Sequence, residues 1–177
     1  MEKEILLSLD LSTKASGWSV FEDGELKSYG VINAGSANLY HRIDKMINDL
    51  EIIIDKYKPT RVVIEEVLRE EVGFNDKIFK ALMYLQGFVC HLLDKFKITP
   101  EFVIVSHWRK CCGIKTGAKS YRESLKKLDI QFVKNKYGIN VTDDEADAIC
   151  IGYSCTHEPI PVKDTEIIKD NDGFEFK

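Results

Sequence analysis

The sequence predicts an α/β protein: a mixed five-stranded sheet with helices on both faces. Three observations lead there. Short apolar runs of strand length recur along the chain, and longer stretches with apolar residues three and four apart separate the later ones. The first three strands also follow one another through tight turns, with no helix between them. The resulting order, β-β-β-α-β-α-β-α-α, describes a sheet begun by an antiparallel meander and continued through helical crossovers.

Residues 4–11 form the first expected strand, around Ile5-Leu6-Leu7-Ser8-Leu9, and residues 17–21 and 25–32 form the next two. Glu22-Asp23-Gly24 between them is a hairpin turn, because Asp-Gly accepts the positive φ angles of a two-residue loop. Residues 40–57 place Ile43, Met46, Ile47, Leu50, Ile53 and Ile54 at helical spacing, and Pro59 ends that helix. A buried strand at 61–67, a long helix at 75–96, a short strand at 102–105, a basic helix at 118–137 and a last helix at 143–155 complete the set. Residues 1–156 are read as one domain. Residues 157–177, with Pro159 and Pro161 and then alternating acids and lysines, have no period and are read as an acidic tail, extended or partly disordered.

A chain of 177 residues with 44% hydrophobic side chains can bury a full core. No run approaches the roughly 18 apolar residues of a membrane span. Met1-Glu2-Lys3-Glu4 leads straight into a strand without the pattern of a signal peptide, so an intracellular protein is expected. The five cysteines are odd in number and form no C-x-x-C pair, which argues against disulfides. His107 with Cys111 and Cys112, or Cys155 with His157, lacks the paired spacing of structural zinc sites, and buried thiols are the better reading.

The net charge of −4 conceals an asymmetry. Residues 106–142 hold nine Lys or Arg against two acids, whereas residues 143–177 hold ten acids against three lysines. A basic block of this kind, carrying Trp108 and Tyr121, is an electrostatic footprint for a polyanion. The bland alternative is a solvated helix face.

The acids occur in three apolar contexts: Asp10 after the first strand, Glu65-Glu66 after Val62-Val63-Ile64, and Asp144 with Asp147 in an alanine-rich helix. Asp10 and Glu65 end strands that should be central to the sheet, where an uncompensated carboxylate costs several kcal/mol. Asp144 and Asp147, three residues apart, share a helical face and can address one ion. Taken singly, each acid has a structural explanation: a turn cap, or the favourable start of a helix behind Thr142. Taken together, the four favour a divalent-metal site. Two Mg²⁺ ions held by such acids, with Mn²⁺ as the other candidate, would suit phosphodiester cleavage, with the phosphate delivered by the basic block.

The ordered set Leu9-Asp10-Leu11-Ser12 with Gly17-Trp18-Ser19-Val20, Val63-Ile64-Glu65-Glu66-Val67, Leu85-Gln86-Gly87 and Asp144-Glu145-Ala146-Asp147-Ala148-Ile149 resembles the RuvC-type Holliday-junction resolvases of the ribonuclease H-like superfamily. The likeness spans roughly residues 4–155 and is greater to the phage and Firmicute branch. It implies a ribonuclease H-like fold, cytoplasmic in a bacterium or a phage-infected host cell, and a homodimer that resolves four-way or branched DNA by paired symmetrical nicks. It further implies that Asp10, Glu65, Asp144 and Asp147 are the metal-binding catalytic acids, with Glu66 directed to the other sheet face. Lys110 and Lys119 correspond to the two basic residues near the scissile phosphate, with Lys115, Arg122 and Lys126 completing the DNA-binding set. Leu68 stands where an aromatic commonly stacks on a base at the crossover, and Phe74 from the same loop can take that role.

The long helix is apolar on two sides. Ile78, Leu82, Leu85, Val89, Leu92 and Phe96 form one stripe, and Phe79, Met83, Cys90 and Leu93 another, so a subunit interface near Phe79, Leu82 and Met83 is expected. Rival readings are another nuclease of the superfamily acting on flaps or RNA–DNA hybrids, and a junction-binding protein without catalysis. An ATP-binding domain of the actin and sugar-kinase type also opens with strand, aspartate and hairpin. It needs two related subdomains, however, and no second strand-Asp-Gly signature appears.

Overall fold

Two-residue alternation in the first strand decides the layering. In β1 (Ile5–Asp10) Leu7 and Leu9 join one apolar cluster, while Leu6 belongs to a second cluster on the opposite face. The structure is a computed structural model that describes residues 3–35, 38–69, 73, 75–115, 122–160, 167–168 and 175–176.

Strand β1 is central. It pairs antiparallel with β2 (Ala15–Glu22), which pairs antiparallel with β3 (Glu25–Asn33). On its other side β1 pairs in parallel with β4 (Arg61–Glu65). The crossover between them is α1 (Leu39–Tyr57), capped by the Asn38 side chain and ended by Lys58 in the left-handed region at φ 50° just before Pro59. Helix α2 (Asp76–Lys95) leads to the short edge strand β5 (Glu101–Val103), parallel to β4, and the order is β3-β2-β1-β4-β5. The expected hairpin is present, with Asp23 and Gly24 both at positive φ.

Helices α1 and α2 cover the face built on Leu7, Leu9, Val62 and Ile64. The other face, built on Leu6, Phe21 and Val63, is covered by α3 (Val105–Cys111), α4 (Arg122–Tyr137) and α5 (Asp143–Ser154). No helix among the described residues is long and apolar enough to cross a membrane.

Three expectations need correcting. The last strand of the sheet ends at Val103, and residues 105–111, for which the sequence predicts no element beyond Val105, form α3. Seven residues are too few to display a 3.6-residue period, and His107 and Trp108 are weak helix formers, so that helix rests on tertiary packing. Each apolar stripe of α2 also departs at one residue: Leu93 of the second is fully buried in the core and Ile78 of the first is exposed, while Phe79, Met83 and Cys90 are half-buried and Tyr84 and Phe88, in neither stripe, are exposed. Trp108, counted with the basic block as a polyanion-facing aromatic, is wholly buried. In the tail, Ile167–Ile168 (β6) and Glu175–Phe176 (β7) pair antiparallel.

Candidate active site

Asp10 and Glu65 end adjacent parallel strands, each one position beyond the Leu9–Ile64 pair. Alternation puts Asp10 on the face of Leu6 and Ser8, and Glu65 on the face of Val63, so both carboxylates emerge on the α5 side of the sheet.

Helix α5 reaches them because small residues line both sides of its contact with the sheet. The Ser8 and Ser19 hydroxyls approach each other at 2.6 Å and donate to the Ala148 carbonyl at 2.8 and 3.0 Å. A Cβ at Gly17 would stand 1.9 Å from the Asp144 carbonyl oxygen, and one at Gly152 would stand 2.4 Å from the Phe21 ring. The start of the helix is fixed by a capping box: the Glu145 N–H donates to Thr142 Oγ1 at 3.3 Å, and the Thr142 N–H donates to Glu145 Oε2 at 2.8 Å. Thr142 therefore caps the helix as its sequence suggests, and the same seating presses Asp144 and Asp147 toward Asp10.

Electrostatics record that convergence. Burial and then the Asp144 charge push the Asp10 carboxyl up to about 6, against the pull of Lys126, Arg122 and Arg109. Burial, followed by Asp10 and Asp129, pushes Asp147 up to about 9. Asp144 is raised by burial and by Asp143. Asp143 goes the other way, because it accepts a hydrogen bond from Lys126, and that pair holds the lysine charged despite its partial burial.

Glu65 is held differently. Its Oε2 accepts a 2.7 Å hydrogen bond from the Trp108 indole N–H. The next residue, Arg109, forks onto the Asp129 carboxylate of α4 through Nε at 3.1 Å and Nη2 at 2.8 Å. Asp129 is completely buried, and its charge helps to raise the Asp147 carboxyl.

A divalent cation suits this donor set. Asp147 Oδ1 is buried with no hydrogen-bond partner among the described residues, and the Asp10 carboxyl of β1 is raised by Asp144 and itself raises Asp147, both on α5. Among the described residues no three acids, histidines or cysteines are gathered tightly enough to surround an ion as the side chains stand. Closing on a cation would therefore take side-chain rotation.

The structure brings together Asp10, Asp144 and Asp147, with Glu65 beside them on the neighbouring strand, and adds Lys126 at their rim. Lys110, Lys115 and Arg122 are exposed, whereas Lys119, Tyr121 and Phe74 lie outside the described residues. Arg109, counted in the basic block, is buried in its pair with Asp129 and belongs to the scaffold of the site. The sequence reading missed Asp129 and the placement of Trp108 and Arg109. Asp129 left one signal, being an acid four residues before the buried Val133 and so on the packed face of an otherwise basic helix. The free cysteines agree with the thiol reading: Cys111, Cys112 and Cys150 are buried.

No protein-family model matches the chain. Over 160 residues it is 28% identical to the crossover junction endodeoxyribonuclease RuvC of Rickettsia conorii and 29% identical to that of Rickettsia bellii, covering 85% of this chain and 96% of each relative. Among solved structures, Thermus thermophilus RuvC in complex with a Holliday junction substrate superposes with a TM-score of 0.66 at 12% identity, covering 88% of this chain and 99% of that one. The yeast mitochondrial Holliday junction resolvase gives 0.55 at 16% identity, over 85% of this chain and 77% of that one. The mixed five-stranded sheet with its helices is thus the fold of these ribonuclease H-like proteins.

Proposed function

We infer that this chain, a homologue of the RuvC resolvases over 85% of its length, is a metal-dependent endodeoxyribonuclease that resolves four-way DNA junctions by paired nicks. The observation that carries the chemistry is the meeting of Asp10, Asp144 and Asp147 at the C-terminal end of the central strand, with a buried carboxylate oxygen on Asp147 that no described residue satisfies. Those three residues and Glu65 would hold the cation, Mg²⁺ or Mn²⁺, with four carboxylates suited to two ions. When bound, the metal supplies Lewis acidity that activates a water and stabilises the leaving oxygen.

The protein's own residues bind and orient. Lys126 sits between Asp143 and the acid cluster, where its ammonium can meet a phosphate oxygen entering the site. Lys110, Lys115 and Arg122 are exposed and, with Lys119, belong to the basic block of the sequence, so these cations are assigned to the DNA backbone. Phe74 is assigned to stacking at the crossover on the resemblance alone.

A homodimer completes the reading, because a two-fold dimer presents two sites to the paired strands of a two-fold junction. Tyr84 and Phe88, each about half exposed at 50% and 52%, lie one turn apart on α2 and form the apolar face for that contact. Tyr84→Glu with Phe88→Glu should halve the mass seen by light scattering, and an unchanged mass removes α2 from the interface.

Incubation of a synthetic mobile junction with Mg²⁺ tests the function. Paired symmetrical nicks on opposing strands are expected. Faster cutting of an RNA–DNA hybrid or a flap would move the protein to another nuclease class, and binding without cutting would make it a junction-binding protein.

A further inference from the structure

Trp108 stands directly behind the acid site, in contact with Glu65. It is wholly buried, and its indole N–H points at a carboxylate and not at a backbone carbonyl. An indole N–H is a donor only, so it can hold a carboxylate oxygen but cannot compete with that oxygen for a cation. Its backbone is fixed as well: the Trp108 N–H donates to the Ile104 carbonyl at 3.3 Å, and the Cys112 N–H donates to the Trp108 carbonyl at 3.1 Å. The Arg109 guanidinium lies 4.6 Å from the Trp108 ring centroid and is itself anchored by Asp129.

We propose that Trp108 is a positioning residue: its indole N–H fixes one carboxylate oxygen of Glu65 and thereby sets the direction from which Glu65 meets a divalent cation. The proposal rests on the metal-dependent reading above. The physical reason is economy of motion. Glu65 sits at a strand end on a side chain with several rotatable bonds. A rigid donor from a different element narrows that freedom and orients the carboxylate before the cation arrives, as hydrogen-bond partners of metal ligands do generally. The brace also ties together both halves of the site. Residue 108 holds the strand acid, and residue 109 holds Asp129, the neighbour of Asp147.

The test uses the full chain with Mn²⁺ as the probe. Trp108→Phe keeps an aromatic ring in the core but removes the N–H. Calorimetric titration should show Mn²⁺ affinity reduced by about 10- to 100-fold, with a comparable fall in kcat and unchanged affinity for junction DNA. Unchanged Mn²⁺ affinity in a folded Trp108→Phe protein overturns the proposal. If that variant fails to fold, a second measurement on the intact core decides. The chain has two tryptophans, so Trp18→Phe leaves a single indole N–H resonance that reports Trp108. Glu65→Gln and saturation with Mg²⁺ should each move that resonance, and a resonance that responds to neither overturns the proposal. Failure of the unmodified protein to bind Mn²⁺ at all overturns the metal reading itself and the proposal with it, an outcome distinct from equal binding by parent and variant.

Discussion

Asp10, Asp144 and Asp147 are carried by β1 and α5, elements seated on each other through serine hydroxyls and glycines, whereas Lys110, Lys115 and Arg122 stand exposed on α3, the segment after it and the first turn of α4. The acids are costly where they are, since burial and mutual repulsion push their carboxyls upward. The exposed cations cost little. Metal chemistry demands ligands fixed to within tenths of an ångström, which only packed strands and helices supply, while phosphate attraction acts through charge at longer range and tolerates mobile side chains. Lys126 is the exception that joins the regions, a half-buried lysine of α4 paired with Asp143.

The contrast breaks most sharply at the acids themselves. Asp10→Asn or Glu65→Gln should abolish cutting while leaving junction affinity intact. Loss of a metal ligand forfeits several kcal/mol of transition-state stabilisation, at least about a thousandfold in rate. Gel-based nicking and binding assays on one junction read both, and a variant that cuts normally removes that acid from the site.

Next comes the scaffold beneath them. Arg109→Met leaves the fully buried Asp129 without its bidentate partner, which should cost about 3–5 kcal/mol in urea denaturation. A loss no larger than that of an exposed pair would mean that Arg109 acts as an ordinary surface cation.

The repulsion among the acids gives a pH and metal signature. The carboxyls of Asp10 and Asp147 are raised from 3.8 to about 6 and about 9. Their favourable contribution to folding is present in full below about pH 4. It is lost as pH rises, through about 6 for Asp10 and about 9 for Asp147, so these groups make the metal-free protein progressively less stable over that window. Mg²⁺ should reverse the loss, by about 2.7 kcal/mol at a hundred times its dissociation constant. Asp147→Asn should shrink the gain, and without metal it should be at least as stable as the parent. Thermal melts across pH, with and without Mg²⁺, measure each part; a variant less stable without metal that keeps the full metal response contradicts the clustered acids.

The smallest effect belongs to the exposed cations. Lys119→Ala with Arg122→Ala should weaken binding alike on every sequence and flatten the slope of log affinity against log salt by about 0.9 for each phosphate that is no longer neutralised. An unchanged slope assigns them to a merely solvated face.

The sequence by itself determined the elements with strong local signals. Asp-Gly set the first hairpin, Pro59 closed α1, and Thr142 with Glu145 began α5, each through backbone chemistry confined to a few residues. Three-residue spacing also placed Asp144 and Asp147 on one helical face, whereas it took the parallel Leu9–Ile64 register to bring Asp10 and Glu65 to one face of the sheet. Tertiary structure alone decided what surrounds them. Helix α3 is too short to carry a period, so the burial of Trp108 and its bond to Glu65 had no local trace. Arg109 read as one more cation until Asp129, twenty residues away, took it into the core. Contacts between elements depend on which faces meet at what distance, and here that distance was set by Gly17 and Gly152, whose missing side chains let α5 settle onto the sheet.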